Sequence, residues 1–442
     1  MHDTIAAIAT PFGQGAISLI RISGNEVGEI LGEIFQSPPM LKPRFATLGT
    51  IVTSGGKAVD QVLVTYFPNP ASFTGQDLAE ISCHGGILVT QKVLETILAA
   101  GARLAEPGEF TQRAFLNGKM DLTQAESVMD LIGARTELAL EAANHQLEGR
   151  LGDRIREIRK ELLGVLAHIE AFIDFPDEDI DPDTSEAIAS RLRSVAASES
   201  QLIATAEQGR ILREGVATVI CGEPNVGKSS LLNVLLGFDR AIVSDVAGTT
   251  RDTIEETINL KGLPLRLIDT AGMRESDDAI EQQGIDRTEQ QLQRADLVLE
   301  IVDSSQPRGT PIDLPSGKHH LRILNKSDLD RHSSWEGEPG IQFSCLKGDG
   351  LGNLADAIYQ KLTSGDVSWG ADLTAINTRH RACLMRSRDF AEQALAAIAA
   401  GQSAEFTAMD VRESLDAIGE VIGKADTEEL LGEIFSSFCI GK

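Results

Sequence analysis

Residues 222–229 read "GEPNVGKS" and directly follow the apolar run "VATVICG" (216–222). Two glycines with four residues between them, then Lys-Ser, at the end of a strand-like run, commit this part of the chain to a strand, a tight loop and a helix. The loop N–H groups and the helix N-terminus form a cradle for phosphates. Lys228 is placed to reach the β- and γ-phosphates and Ser229 to bind magnesium; Asn225, Val226, Gly227 and Ser230 complete the cradle. The later runs "LPLRLIDTAG", "ADLVLEIVD", "LRILNK" and "IQFSC" alternate with helical stretches, the pattern of a mainly parallel α/β sheet.

Three further motifs follow in order. "DTAG" (Asp269, Thr270, Ala271, Gly272) ends one strand and "NKSD" (Asn325, Lys326, Ser327, Asp328) ends another. Asn325 and Asp328 suit a guanine edge, because a carboxylate accepts from both N1–H and the exocyclic amine of guanine, an arrangement adenine does not offer. "SCLKG" (344–348) has the pattern of a fifth GTPase motif. Between the first helix and the second strand, "SDVAGTTRD" (244–252) supplies Ser244, Asp245, Val246, Ala247, Gly248, Thr249 and Thr250, with Thr250 the expected second magnesium ligand. Together the motifs predict GTP as the ligand. Met273 stands where the Ras-like pattern has a water-orienting Gln, and a thioether cannot replace it. The water needs another activator. The amide oxygen of Asn225 can ligate a monovalent cation; read alone, the residue fits support of the loop geometry equally.

The chain has 442 residues, enough for two to four domains. Residues 1–118 mix strands ("AISLIRIS", "FATLGTIV", "AVDQVLVTYF", "DLAEISCH") with a helical stretch at 87–104, an α+β pattern. Residues 119–214 read as helical, with Ile155, Ile158, Leu162, Leu166, Ile169 and Ile173 on one face and a second helix over 186–211. The α/β pattern occupies 215–367, and 368–442 is helical again. One reading is a discontinuous helical domain with the nucleotide domain inserted; two separate helical domains remain the alternative. No apolar run is long enough to span a membrane, and no leader is visible before "PFGQG". The five scattered cysteines predict reduced thiols and a cytoplasmic location. A net charge of −26 repels nucleic acid, so no DNA partner is expected and any nucleic-acid contact needs a local basic patch or a basic partner. Two basic runs are candidates: Arg150, Arg154, Arg156, Arg159 and Lys160, and then Arg379, His380, Arg381, Arg386 and Arg388.

"GTTRD" with "PNVGKSSLLN" resembles the TrmE–Era–EngA-like GTPases. "RISG" (21–24), "SFTGQDLAEISCHGG" (72–86), "PGEFTQRAFLNGKMDLTQAESVMDLI" (107–132) and "CIGK" (439–442) resemble the MnmE (TrmE) family of tRNA-modification GTPases over the full length. The resemblance implies a multidomain fold: an N-terminal α+β folate-binding-like domain, a discontinuous helical domain and an inserted Ras-like P-loop G domain. It implies a homodimer and a flavoprotein partner, MnmG, in a heterotetramer. Together these place a carboxymethylaminomethyl or aminomethyl group on the wobble uridine of certain tRNAs. The carbon comes from a tetrahydrofolate derivative, in 5-formyl or methylene form. By position, Arg21, Glu80, Lys119 and Lys442 would contact the folate, and Cys439 would take part in modification. The family design replaces an arginine finger with potassium, held by Asn225, Ser244, Val246 and Thr249 when two G domains meet. Glu281 would then handle the water and Arg274 support the switch loops. The competing reading is a ribosome-assembly or regulatory GTPase whose helices are a binding module.

Overall fold

The computed structural model describes residues 3–37, 41–174, 184–238, 256–268, 290, 292–309, 317–363, 369, 374–424 and 428–442. They divide into two compact units: Met1–Met129 with Leu147–Lys160 and Leu415–Lys442, and Asp130–Gln146 with Glu161–Ser414.

The first unit is built on a sheet of order β3-β4-β5-β2-β1-β6, with β1 Ile5–Ile8, β2 Ile17–Ser23, β3 Thr47–Val52, β4 Ala58–Phe67, β5 Leu78–His84 and β6 Arg103–Leu104. All pairs are antiparallel except β1 with β6. Alternation along the strands sends Ile20, Ile22, Val62, Val64, Ala79 and Ile81 into a core closed by helices α1 (Val27–Ile34) and α2 (Ile87–Ala99). Beside it, helix α3 (Glu109–Leu116) carries a buried ion-pair network. Glu109 is 2% and Arg113 1% exposed, and the Glu109 carboxylate accepts from Arg113 Nη2 at 2.8 Å and Arg103 Nη2 at 2.6 Å. Burial pushes the Glu109 carboxyl up, but Arg103, the Glu106 N–H and Arg113 outweigh it and hold it below the usual carboxylate range.

The second unit contains a sheet of order β12-β11-β10-β7-β9-β8. Its strands are β7 Val216–Cys221, β8 Glu256–Leu260, β9 Leu263–Leu267, β10 Leu297–Asp303, β11 His319–Asn325 and β12 Ile341–Gln342. It is parallel except for the β8–β9 hairpin at its edge. β7 is buried along its whole length, as a central parallel strand must be, and α9 (Lys228–Phe238) and α10 (Leu351–Thr363) contribute to the same core.

The remaining helices of this unit include α7 (Thr184–Ala204), α8 (Ala206–Glu214) and α11 (Thr378–Ala399), with the first part of α12 (Ala404–Val421), up to Ser414. The single helix expected over 186–211 is two: Thr205 breaks it, its one hydroxyl proton shared between Leu202 O at 2.8 Å and Thr374 O at 2.7 Å. In α6 (Arg150–Asp174), Ile155, Ile158, Leu162, Leu166 and Ile169 are buried, as their spacing predicts. Among the described residues no helix is long and apolar enough to cross a membrane.

Where α7, α11 and α12 meet, Glu199 is 0% exposed. Its Oε1 accepts from Ser387 Oγ at 2.5 Å, Ser387 lies 2.9 Å from Ser414 Oγ, and Oε2 has no partner. Burial pushes the Glu199 carboxyl up to about 7, with Ser387 and Arg388 opposing it and Glu392 and Asp389 adding to it. The folded chain therefore binds a proton there that the unfolded chain releases at lower pH. That contribution is complete below about 4.5 and lost as pH rises to about 7. Glu199→Gln should stabilise the chain at pH 8, by up to roughly 3 kcal/mol, with the gain shrinking toward pH 5. Urea unfolding at both pH values measures it; equal effects at the two would refute the linkage.

Candidate functional site

The P-loop leaves β7 at Gly222 (φ 154), where a Cβ would lie 2.2 Å from Ile301 O on β10. Any larger residue would lift the loop off the sheet. Asn225 takes a left-handed conformation (φ 62), which Asn tolerates. Gly227 (φ 108) lets the loop pass Asn325, whose Nδ2 would lie 2.3 Å from a Cβ there. Lys228 opens α9 and donates to Gly222 O at 3.0 Å and Glu223 O at 2.8 Å, so its ammonium is held at the loop. Ser229 and Ser230 are exposed in the first turn of that helix.

Asn325 ends β11 and is 2% exposed. Its Nδ2 donates to Val226 O at 2.7 Å and its Oδ1 accepts from Cys345 N at 3.1 Å. Both halves of the amide are thus engaged inside the protein. The residue expected at the guanine edge acts here as a strap joining the P-loop, the 325–328 loop and the 344–348 loop. Asp328, the other residue expected at that edge, has its Oδ1 accepting from Ser344 Oγ at 2.6 Å. That hydroxyl holds the carboxyl below its usual range, so it stays an acceptor. Lys326 (φ 59) is fixed by Asp303 Oδ2 at 2.6 Å, and Ser327 N donates to Phe343 O at 3.1 Å. Ser344 and Asp303 were not singled out by the sequence; for Ser344 the signal was available, since it opens "SCLKG". Burial pushes the Cys345 thiol up to about 11, so it packs against Gly227 O as a neutral group. Ser244, Asp245, Val246, Ala247, Gly248, Thr249, Thr250, Asp269, Thr270, Ala271, Gly272, Arg274 and Glu281 lie outside the described residues.

In the first unit, Arg21 on β2 and Glu80 on β5 are register partners, joined Nε to Oε1 at 2.9 Å. The Arg21 guanidinium lies 5.7 Å from the Phe73 ring. The loop holding Phe73 also receives Lys119, whose Nζ donates to Pro70 O at 3.0 Å. The 439–442 stretch docks at the start of α3: Gly108 N donates to Cys439 O at 3.3 Å and Phe110 N to Lys442 O at 3.1 Å. Gly441 (φ 94) sits where a Cβ would lie 2.5 Å from Ile8 O, one residue beyond Ala7, the register partner of Arg21. The Arg21–Glu80 pair thus lies on the sheet, Lys119 is tied to the loop that carries Phe73, and the 439–442 stretch passes over Ile8 at the start of α3, with Cys439 exposed.

The basic runs are smaller surfaces than their sequences suggest. Arg150 pairs with Glu148, Arg154 with Glu157, and Arg156 with Asp121 and Asp153. His380 is 0% exposed and closes a capping box with Asn377 at the start of α11. Arg388 pairs with Asp389 at 2.8 Å, which leaves Arg381 and Arg386 as the exposed members of the second run.

Asn325→Ala would strand the Val226 carbonyl and the Cys345 N–H, each at a cost of about 1–3 kcal/mol. Affinity for GDP, measured by calorimetry, should fall about 10- to 100-fold while ATP stays unbound. Unchanged GDP affinity would refute the strap.

Comparison with known proteins bears on the whole chain. The family model described as GTP-binding protein TrmE N-terminus matches residues 4–119, and that described as MnmE helical domain matches 122–439. The tRNA modification GTPase MnmE of Akkermansia muciniphila is 55% identical over 443 residues, covering 99% of each chain. Those of Geobacter sulfurreducens and Aquifex aeolicus are 44% and 43% identical over 100% of this chain. Among solved structures, the G domain of the T. maritima FeoB iron transporter matches 33% of this chain and 96% of its own at 26% identity, with a TM-score of 0.23, too low to carry argument. Full-length identity and two family models together establish that the chain belongs to the MnmE (TrmE) family of tRNA modification GTPases.

Proposed function

We propose that this GTPase is potassium-activated through G-domain dimerisation. With the flavoprotein MnmG, it adds a carboxymethylaminomethyl or aminomethyl group to the tRNA wobble uridine from a folate one-carbon unit. The observation that carries the reading is the docking of 439–442 on the unit that holds the Arg21–Glu80 ion pair, with Gly441 against Ile8 and Lys119 tied to the loop of Phe73. The chemistry fits a folate. Among the described residues only Nε of Arg21 is hydrogen-bonded, so its terminal nitrogens suit a ligand carboxylate, with Lys119 and Lys442 beside it. Glu80 suits the amide edge of a pterin, and the Phe73 ring offers an apolar face. The domain plan is 1–118, 119–214, 215–367 and 368–442, in a cytoplasmic homodimer within a heterotetramer with MnmG. An exposed apolar row supports the homodimer: Leu48 (60% exposed) pairs in register with Leu63 (46%) across β3 and β4.

In the nucleotide site, Ser229 and Thr250 would hold magnesium, and Asn225, Ser244, Val246 and Thr249 would hold potassium. Asn225 fits that role: it is exposed, and among the described residues its side-chain amide has no hydrogen-bond partner. The cation supplies positive charge beside the phosphates, in place of an arginine finger worth roughly 10³–10⁵ in rate, or about 4–7 kcal/mol. Glu281 orients the attacking water through a second water and Arg274 supports the switch loops, which answers the loss of a water-orienting side chain at Met273.

Two measurements test these roles. GTP turnover should be about tenfold or more faster in potassium than in sodium, and Glu281→Ala should lower kcat while leaving nucleotide affinity intact. Equal rates in the two salts would remove the potassium role. Separately, 5-formyltetrahydrofolate should bind the wild-type chain, and Arg21→Ala should weaken it by about tenfold, the loss of one charge-assisted hydrogen bond. Undiminished binding by Arg21→Ala would place the folate elsewhere.

A further inference from the structure

The β8–β9 hairpin forms one edge of the second sheet, and in sequence it joins two motif stretches: 244–252 precedes β8 and 269–272 follows β9. Its tip is a two-residue turn, Lys261 (φ 53) and Gly262 (φ 89), which matches the twist of the strands. The inner strand β9 is fixed by pairing with β7, whereas β8 is paired on one side only.

A short segment outside the sheet holds β8 at both ends. Near its start, Arg135 Nη1 donates to Thr257 Oγ1. At its far end, Leu138 covers Gly262 so closely that a Cβ there would lie 2.6 Å from Leu138 Cδ1 and 2.9 Å from Cγ. Between the two, Thr136 locates the segment by capping α5 (Glu137–Leu147). Its hydroxyl accepts from Ala139 N at 3.2 Å and its carbonyl from Leu140 N at 3.0 Å. On the nucleotide-domain side, Lys261 forms an ion pair with Asp356 of α10. The tip is therefore held between α5 and α10, and the open edge is braced at Thr257.

We propose that Arg135 and Leu138 are positioning residues for GTP hydrolysis. They set the hairpin against the sheet, and with it the outer ends of β8 and β9, Glu256 and Leu267. The proposal rests on GTP turnover by this chain. It gives the 130–146 segment a direct mechanical path to the site without contact to nucleotide. A shift of α5 moves the tip through Leu138 and the base of β8 through Arg135, and the two ends of the hairpin move together.

The test uses the full chain with Leu138→Ala, Arg135→Ala and Arg135→Lys. Both alanine variants should lower kcat by about 3- to 30-fold, with KM, GDP affinity and Tm close to wild type. Arg135→Lys keeps a donor and should recover part of the loss. In a double-mutant cycle, Arg135→Ala and Thr257→Val should not add, because each removes the same hydrogen bond. Leu140→Ala, on the same helix and 44% exposed, controls for general effects on α5 and should leave kcat unchanged. Additive losses, unchanged kcat, or a loss of kcat matched by loss of GDP affinity would overturn the proposal while leaving the chain a GTPase. A wild-type chain that does not turn over GTP would overturn both.

Discussion

The nucleotide site depends on one buried amide. Asn325 connects the ends of three loops, each set on a different strand, through two hydrogen bonds of 2.7 and 3.1 Å. A buried amide with both halves engaged admits no substitute, since any change leaves a carbonyl or an N–H without water or partner. The backbone geometry follows from this. Gly227 must be glycine because the strap passes where its side chain would be, and Gly222 because the loop must clear Ile301. Asp328 is presented by a strapped loop and its free geometry is narrowed again by Ser344.

The first unit solves a similar problem with charge. Arg113 is almost wholly buried, yet it donates to Asp3 O at 2.8 Å, Asp3 Oδ1 at 3.0 Å, Gln76 Oε1 at 3.1 Å and Glu109. Every partner comes from a different part of the unit: the segment before β1, the loop before β5, and α3. A pair this buried offers little net stability over an apolar one, but removing either member leaves a stranded charge. What it secures is the placement of α3, whose first N–H groups receive the 439–442 stretch. The helix start favours electronegative partners, and backbone carbonyls supply them here.

Much of this was legible in the sequence where local pattern and tertiary role coincide. "AVDQVLVTYF" is β4 residue for residue, and the apolar stripe of α6 is its buried face. The four GTPase motifs located the strands that carry them because the chemistry demands that context. The misses share a physical cause. β1 and β6 are four and two residues long and exist only through pairing with each other and with β2, which no window of residues reveals. β8, "ETINL", carries too few apolar residues to announce a strand, and its partner and turn decide it. Arg113 and Glu109 look like surface residues of a charged helix turn; burial depends on partners up to 110 residues away. Asn325 was found by its motif, but the motif does not say that the side chain faces the protein.

The two buried glutamates show why equal burial need not mean equal rigidity. Glu109 faces two guanidiniums and stays ionised, so separating its partners exposes a full charge to a poor solvent. Glu199 faces the Ser387 hydroxyl, itself bonded to Ser414, and among the described residues its other oxygen has no partner. Protonated, it can donate through Oε1 to Ser387, which in turn donates to Ser414 O at 3.0 Å, so the cluster closes without charge. A neutral hydrogen-bonded cluster costs less to pull apart than a charged one, because each hydroxyl regains water without a Coulomb penalty. With Glu199 protonated, neutral hydrogen bonds alone hold the junction of α7, α11 and α12 at this point, whereas α3 is held by an ion network. Helix sliding at that junction breaks hydrogen bonds between neutral groups, whereas movement of α3 must break an ion network.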